Sequence, residues 1–354
     1  MAKVAGRSKR HLCVLQLAVL WFLVACTGGP ATIDAHLGSR PVTRSPVRIA
    51  AAPTVIGAPL AVAIARGYFR DEALEVDLQS SAAAQDSVLL AATGKLDVGV
   101  VGLNTGLYNG VARGLDVKVV SSMAVNPMHG YPTALVVRRD LLMSGQVTTL
   151  SDLKGRRIAV RGGAGSPAGY VLATKLREAG LHLKDIEVVN LGLPEQVAAM
   201  QARTIDVAIP PAPFTTQMLL DGTVELFGGP VTPGRSETAT IMRGAFLRER
   251  PDAARETLMA LMRGAHDLQG AEYKSPGNLD LLSKFTGLPT ETVQGMDPYE
   301  FRPDLALRAE EILAAQQVFL EEGLLEYGNP LPVQQLSDEA TWRAAAERLN
   351  AERP

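Results

Sequence analysis

The sequence predicts an α/β protein made of two similar units with largely parallel sheets, followed by a helical block. Three observations carry this. From Val47 onward, short apolar strands alternate with helical stretches, the pattern of parallel strands covered by helices. Segments then recur: Arg48-Ile49-Ala50 returns as Arg157-Ile158-Ala159, Asp86-Ser87-Val88 as Glu195-Gln196-Val197, and Leu96-Asp97-Val98 as Ile205-Asp206-Val207, each 109 positions later. Three matches at one offset point to duplication. Residues 251–269, 277–286, 304–322 and 337–349 place apolar side chains at helical spacing, with Pro251 suited to a first turn and Gly323 to a helix stop.

The N-terminus reads as an export signal. Lys3, Arg7, Lys9 and Arg10 precede an apolar run from Leu12 to Ala25 broken only by Gln16, shorter than the ~20 residues of a membrane-spanning helix. The run ends in Leu23-Val24-Ala25-Cys26, which resembles the lipobox of bacterial lipoproteins, so Cys26 is expected to carry a lipid anchor after removal of residues 1–25. That cut leaves 31 basic residues against 37 acidic ones. Residues 26–46, rich in Gly, Pro, Ser and Thr, read as a tether.

In each unit a strand runs into a loop with Gly or Pro, then a helix, a Gly, a second strand (Leu74 to Leu78; Ile186 to Asn190), a helix opened by an acid, and a short third strand. Lys118 to Ser122 and Thr133 to Val137 lead from the first unit to the second. After Thr223 to Phe227 and a turn at Gly228 to Gly234, Thr238 to Met242 is again extended. The helical block must cover a sheet face, and a return to the first unit gives lobe 1 as 47–137 plus 240–350 and lobe 2 as 138–239. Two chain crossings then join them as a hinge.

Composition excludes several functions. The 354 residues carry 35 Lys and Arg against 37 Asp and Glu, which offers a polyanion such as nucleic acid no electrostatic footprint. Cys occurs only at 13 and 26, so the body holds neither a disulfide framework nor a Cys metal site. The His residues at 36, 129, 182 and 266 lack ligand-like spacing. No metal, cofactor or catalytic residue is assigned.

In open parallel sheets, ligands bind beyond the carboxyl ends of the strands. Those positions are Pro53, Thr54 and Ile56, then Ser80 and Ser81, then Asn104 and Thr105 in the first unit. In the second they are Arg161, Gly165, Ser166 and Ala168, then Pro211 and Pro213. Hydroxyls, one amide and backbone dominate, without an acid cluster. In Arg161-Gly-Gly-Ala-Gly-Ser166-Pro167, Ser166 is a good N-cap and Pro167 a good first helical residue, so a helix start with free N–H groups is expected to face the cleft and suit a small anion. Arg161 either adds a charged contact or is a solvated strand-end Arg. The same stretch meets the looser Gly-x-Gly-x-x-Ala dinucleotide form at Gly163, Gly165 and Ala168, but the following strand ends in Asn190 where an acid should hold the ribose. A hydrolase elbow would need Gly at 164 and 168, where Ala stands. His129, in the loop Asn126 to Pro132, reads as a surface residue near the junction.

Residues 47 to 325 resemble the periplasmic solute-binding proteins of ABC importers, in the branch that serves nitrate, taurine and alkanesulfonates. The likeness is carried by Ala63-Ile-Ala-Arg-Gly-Tyr-Phe69 ahead of Leu74-Glu-Val, by Ala92-Thr-Gly-Lys-Leu-Asp-Val98, by Leu150-Ser-Asp-Leu-Lys-Gly-Arg-Arg-Ile-Ala-Val160, and by Gly165-Ser166. It implies the type 2 periplasmic binding protein fold: two α/β lobes joined by a two-crossing hinge. It also implies a lipid-anchored monomer in the cell envelope that closes on a sulfonate, a nitrate-like ion or another small organic anion. The implied partners are an ABC permease and its ATPase. The alternative is a binder of the pyrimidine precursor of thiamine or, on the same fold, an enzyme that makes it. In the loop after the third strand of lobe 2, relatives often place an aromatic and an acid before Pro; this chain has Ile209-Pro-Pro-Ala-Pro-Phe214. Ala212 cannot balance an ammonium, which favours an anion or a neutral heterocycle over a taurine-like zwitterion.

Overall fold

The computed structural model describes residues 46–80 and 84–352, with residues 80 and 84–86 described by backbone alone. The leader, Cys26, nearly all of the tether and Ser81 lie outside them. Among the described residues twelve strands form: β1 (Val47–Ala51), β2 (Val76–Ser80), β3 (Val98–Gly102), β4 (Val117–Ser122), β5 (Ala124–Val125), β6 (Val136–Arg138), β7 (Arg157–Ala159), β8 (Glu187–Val189), β9 (Val207–Ala208), β10 (Val224–Leu226), β11 (Thr238–Arg243) and β12 (Glu300–Phe301). The first sheet runs β2-β1-β3-β11-β4 and the second β8-β7-β9-β6-β10. In each, the first three strands are parallel and the fourth is antiparallel to both neighbours. Apolar strands such as Val47–Ala51 and Val98–Gly102 are buried nearly throughout, as parallel strands covered on both faces must be.

The repeat seen in the sequence is repeated in hydrogen bonds. Arg48 N–H donates to Asp97 Oδ2 at 3.1 Å, and Asp97 N–H returns to the Arg48 carbonyl at 3.0 Å. One repeat later, Arg157 N–H donates to Asp206 Oδ2 at 3.1 Å and Asp206 N–H to the Arg157 carbonyl at 2.8 Å. Each Asp also meets an Arg from the antiparallel strand: Arg243 Nη2 at 2.9 Å from Asp97 Oδ1, and Arg138 Nη1 at 3.5 Å from Asp206 Oδ1. Arg48 adds a further ion pair to Asp97 at 2.8 Å, whereas Arg157 turns to Glu187. Burial alone would raise the Asp97 pKa, but hydrogen bonds from Arg48 and Arg243 hold it below the ordinary carboxylate range.

Sheet membership moves the expected breaks. Val136–Arg138 pairs wholly in the second sheet and Thr238–Arg243 wholly in the first, so the crossings lie N-terminal of the boundaries after 137 and 239. The chain crosses between 126 and 135 and returns between 227 and 237. The two crossings are bonded side by side: Asn126 N–H donates to the Arg235 carbonyl at 3.0 Å, and Gly234 N–H to the Asn126 carbonyl at 2.8 Å. β12 pairs with β5 beside them.

The late helices do not serve the first sheet alone. Helix Pro251–His266 packs on Ala58–Ala65 and Glu339–Ala351. Helix Ala309–Glu321 instead bridges: Phe319 sits 5.9 Å from the Tyr108 ring of the first unit and 6.0 Å from Tyr170 of the second. Arg177 reaches Glu321 at 2.6 Å, and Leu183 N–H donates to Glu322 at 2.9 Å. The apolar cluster accordingly runs unbroken from Leu107 and Tyr108 to Ile158 and Tyr170.

The side chain of Asp97 is 2% exposed and that of Asp206 19%. Asp97→Ala is therefore expected to cost roughly 3–5 kcal/mol, the range for stripping one partner from a buried ion pair, and Asp206→Ala clearly less. Urea unfolding of both variants checks this, and equal losses would show that burial is not what distinguishes the two.

Candidate solute cleft

The carboxyl ends of β3 and β7 face each other and touch. Thr105 N–H donates to the Gly165 carbonyl at 2.9 Å, and its Oγ1 lies 3.3 Å from the same oxygen. Two glycines permit this approach: a Cβ on Gly165 would stand 2.4 Å from Thr105 Oγ1, and one on Gly102 2.2 Å from Pro167 Cγ. Asn104, Thr105, Gly165 and Ser166 are thus brought to one seam.

The polar side-chain atoms of Asn104 and Ser166 are engaged within their own units. Asn104 Oδ1 accepts from Leu107 N–H at 3.1 Å, and its Nδ2 donates to the Gly102 carbonyl at 2.7 Å. Ser166 Oγ accepts from Gly169 N–H at 3.1 Å and donates to the Gly163 carbonyl at 2.7 Å. Both side chains are buried and act as N-caps, each satisfying one of the donors that a helix start leaves open. Ala168 is half-buried in the first turn of the same helix.

The other expected positions spread out. Arg161 is exposed, and the turn after it is held by Asn190, whose Oδ1 accepts from Gly162 N–H at 2.9 Å. Pro211 pairs with Thr133 on the first crossing, and Ala212 N–H donates to the Pro132 carbonyl at 2.6 Å, which docks the 209–214 loop there. Pro213 follows a cis peptide bond and is half-buried. Pro53 and Thr54 are exposed, Ile56 packs against the first core cluster, and the Ser80 side chain and all of Ser81 fall outside the described atoms. His129 is exposed.

The crossings contribute a polar group that the strand-end rule misses. Leu103 N–H, just past β3, donates to the Glu237 carbonyl at 2.8 Å, so Glu237 lies beyond a strand end although it precedes β11. Its Oε2 accepts from Asn126 Nδ2 at 2.7 Å, and Asn126 Nδ2 also donates to Thr232 Oγ1 at 2.8 Å. Burial pushes the Glu237 pKa up to about 7, against the pull of the Asn126 and Thr232 hydrogen bonds and with added repulsion from Glu311. Nearby, Tyr299 Oη is 2.7 Å from Thr133 Oγ1, and burial raises its pKa; its hydroxyl also feels the charges of Glu237 and Arg161. The signal available in the sequence was an acid, Glu237, placed between a Gly/Pro turn with Arg235 and the extended run Thr238 to Met242.

This architecture, with two like sheets, one exchanged antiparallel strand in each and a double crossing, is that of the periplasmic binding proteins. The nitrate-binding protein NrtA of Synechocystis superposes with a TM-score of 0.68 at 17% identity, covering 88% of this chain and 90% of that one. The aliphatic sulphonate-binding protein SsuA of Escherichia coli gives 0.67 at 18% identity, covering 84% and 93%. A desulfurization enzyme, DszB, shares the fold at 0.56 and 14% identity over 86% and 99%. The chain belongs to the NMT1/THI5-like family, whose model matches residues 57–270. Among curated relatives, a Haemophilus influenzae protein named for thiamine biosynthesis is 33% identical over 137 residues, 38% of this chain and 39% of that protein. The taurine-binding periplasmic protein of Escherichia coli is 29% identical over 176 residues, 47% and 51% of the two chains. The matches thus span about half or less of either relative.

The raised pKa of Glu237 has a stability consequence. Between the ordinary 4.5 and about 7 the folded chain holds a proton that the unfolded chain releases, so the contribution is full below 4.5 and is lost as pH rises through 7, roughly 3 kcal/mol in all. The stability difference between the parent and Glu237→Gln should therefore shrink or reverse across that window in urea titrations; a constant difference would mean that Glu237 titrates like an exposed acid.

Proposed function

We propose that this chain is the solute receptor of an ABC importer. It is anchored outside the cytoplasm through Cys26, closes its two units on one small solute, and hands that solute to a permease driven by a cytoplasmic ATPase. The observation that carries this reading is the seam: the strand ends of two matched sheets meet at Thr105 and Gly165, and among the described residues the backbone passes between the sheets at two adjacent crossings, with helix Ala309–Glu321 packed on both units. Such a layout opens and closes about the crossings, and a solute touched from both sides favours the closed state.

The solute class we assign is that of small sulfonates, nitrate-like ions and related organic anions, supported by the taurine-binding relative. The second reading, a receptor for a pyrimidine precursor of thiamine, is supported by the relative named for thiamine biosynthesis. We read the chain as a binder rather than an enzyme; because DszB uses the same fold, a search for turnover belongs in the test. Calorimetry of the mature chain against nitrate, ethanesulfonate, taurine and 4-amino-5-hydroxymethyl-2-methylpyrimidine should find one that binds tightly. X-ray scattering with that compound should show a smaller radius. An unchanged radius with a tightly bound compound would rule out hinge closure, and conversion of the compound would rule out a pure receptor.

The glycines give a sharper check. Gly165→Val puts two methyls where Thr105 already leaves no room for a Cβ, so the seam cannot form as it stands. Solute affinity is expected to fall at least tenfold, about 1.4 kcal/mol, with the far-ultraviolet spectrum unchanged. Undiminished affinity would show that the seam is not part of the solute-holding state.

A further inference from the structure

Two buried acids lie close together where the second crossing rejoins the first sheet, and only one has a counter-ion. Glu311 is gripped by Arg302 at 2.6 and 2.9 Å and accepts from Ser236 N–H at 3.1 Å. Glu237, 7% exposed, has only neutral side-chain donors: Asn126 Nδ2 at 2.7 Å and Thr232 Oγ1 at 3.4 Å. Among the described residues no Lys, Arg or His is ion-paired with it. A carboxyl in that condition is costly to ionise: it keeps its proton to near neutral pH, and once ionised it is satisfied fully by a cation or a strong donor from outside. The second observation is Asn126, 2% exposed, whose Oδ1 has no hydrogen-bond partner among the described residues. Its amide orientation follows from its Nδ2, which serves two acceptors. An orphan acceptor therefore sits beside an unneutralised acid, next to the carboxyl end of β3, where open α/β sheets take their ligands.

We propose that Glu237 and Asn126 Oδ1 form the seat for a nitrogen-bearing end of the solute, either an ammonium or the N–H edge of an aminated heterocycle. This rests on the receptor reading and deepens it. It supplies, from the crossing, the negative charge that Ala212 fails to supply in the 209–214 loop, and so reverses the preference against amine-bearing solutes drawn from that loop alone.

The test is calorimetry of the mature chain with matched pairs: taurine against ethanesulfonate, and 4-amino-5-hydroxymethyl-2-methylpyrimidine against its 4-oxo counterpart. The amine-bearing member of one pair is expected to bind at least tenfold tighter at pH 8, and which pair responds tells an ammonium from a heterocycle. Glu237→Gln should bring that ratio to within about threefold. Asn126→Ala, which keeps the acid and removes the orphan acceptor, should lower it as well. For the taurine pair the wild-type ratio should also collapse at pH 5.5, where Glu237 holds its proton; this arm needs no variant to fold. Around Glu237, the Tyr170 and Tyr299 hydroxyls are shifted upward, away from the pH 5.5–8 range. The other charged neighbours are Glu311 with its Arg302, Arg235 beside Tyr170, and Arg161. Equal affinities within both pairs, or a preference that survives Glu237→Gln, overturns the seat and leaves the receptor standing. Failure of all four compounds to bind the wild-type chain overturns the receptor reading and the seat together.

Discussion

The layout of the described chain depends on one buried acid held by two arginines. Asp97 binds Arg48 on β1 and Arg243 on β11, and so fastens into the first sheet a strand that arrives only after the chain has built the whole second unit. β11 lies between β3 and β4, so without it the first sheet would be split. With it, the chain must cross to the second sheet and come back. The double crossing, the facing strand ends and the buried polar cluster at the junction all follow from that insertion. The second unit repeats the device in weaker form: Arg138 approaches Asp206 only to 3.5 Å, and Asp206 is more exposed. Desolvation sharpens electrostatics, so the tighter and drier copy is the one that fastens the returning strand.

Much of the fold was legible because its determinants are local and periodic. The 109-residue repeat marked β1, β3, β7 and β9, since the same backbone environment selected the same residue types twice; that the repeated Arg and Asp bond to each other was visible only in the structure. Helix ends at Pro251 and around Gly323 were legible through their caps. Sheet membership near 137 and 239 was not legible because it is a pairing property: nothing in Val136–Arg138 or Thr238–Arg243 states which sheet will accept it. The bridging helix Ala309–Glu321 escaped for a related reason. Its apolar face shows that it packs, but not that Phe319 divides itself between Tyr108 and Tyr170.

At the site, the strand-end rule gathered Asn104, Thr105, Gly165 and Ser166 correctly in space, but what each atom does there was not readable. A capping side chain and a ligand-binding side chain look alike in sequence, since both are small and polar and both precede a helix. In Asn104 and Ser166 the oxygen and its neighbouring donors are consumed by Leu107, Gly102, Gly169 and Gly163. What those caps contribute is rigidity at the point where the two units touch. Glu237 was missed because the rule looks after strands, and Glu237 comes before one. Antiparallel β11 brings its starting end to the carboxyl end of β3, so a residue preceding it reaches the same place from the opposite chain direction.

On the proposed receptor reading, that position would also couple recognition to motion. Asn126 belongs to the outgoing crossing, while Thr232 and Glu237 belong to the returning one, and their hydrogen bonds join the two segments about which the units would have to turn. A group seated between Asn126 Oδ1 and Glu237 would satisfy an orphan acceptor and a bare acid together, and would do so only at the spacing the crossings have when side by side. Affinity for such a group and preference for that crossing geometry then have the same physical origin. On the proposed receptor reading, the seam needs no separate latch: Thr105 and Gly165 would have only to permit closure.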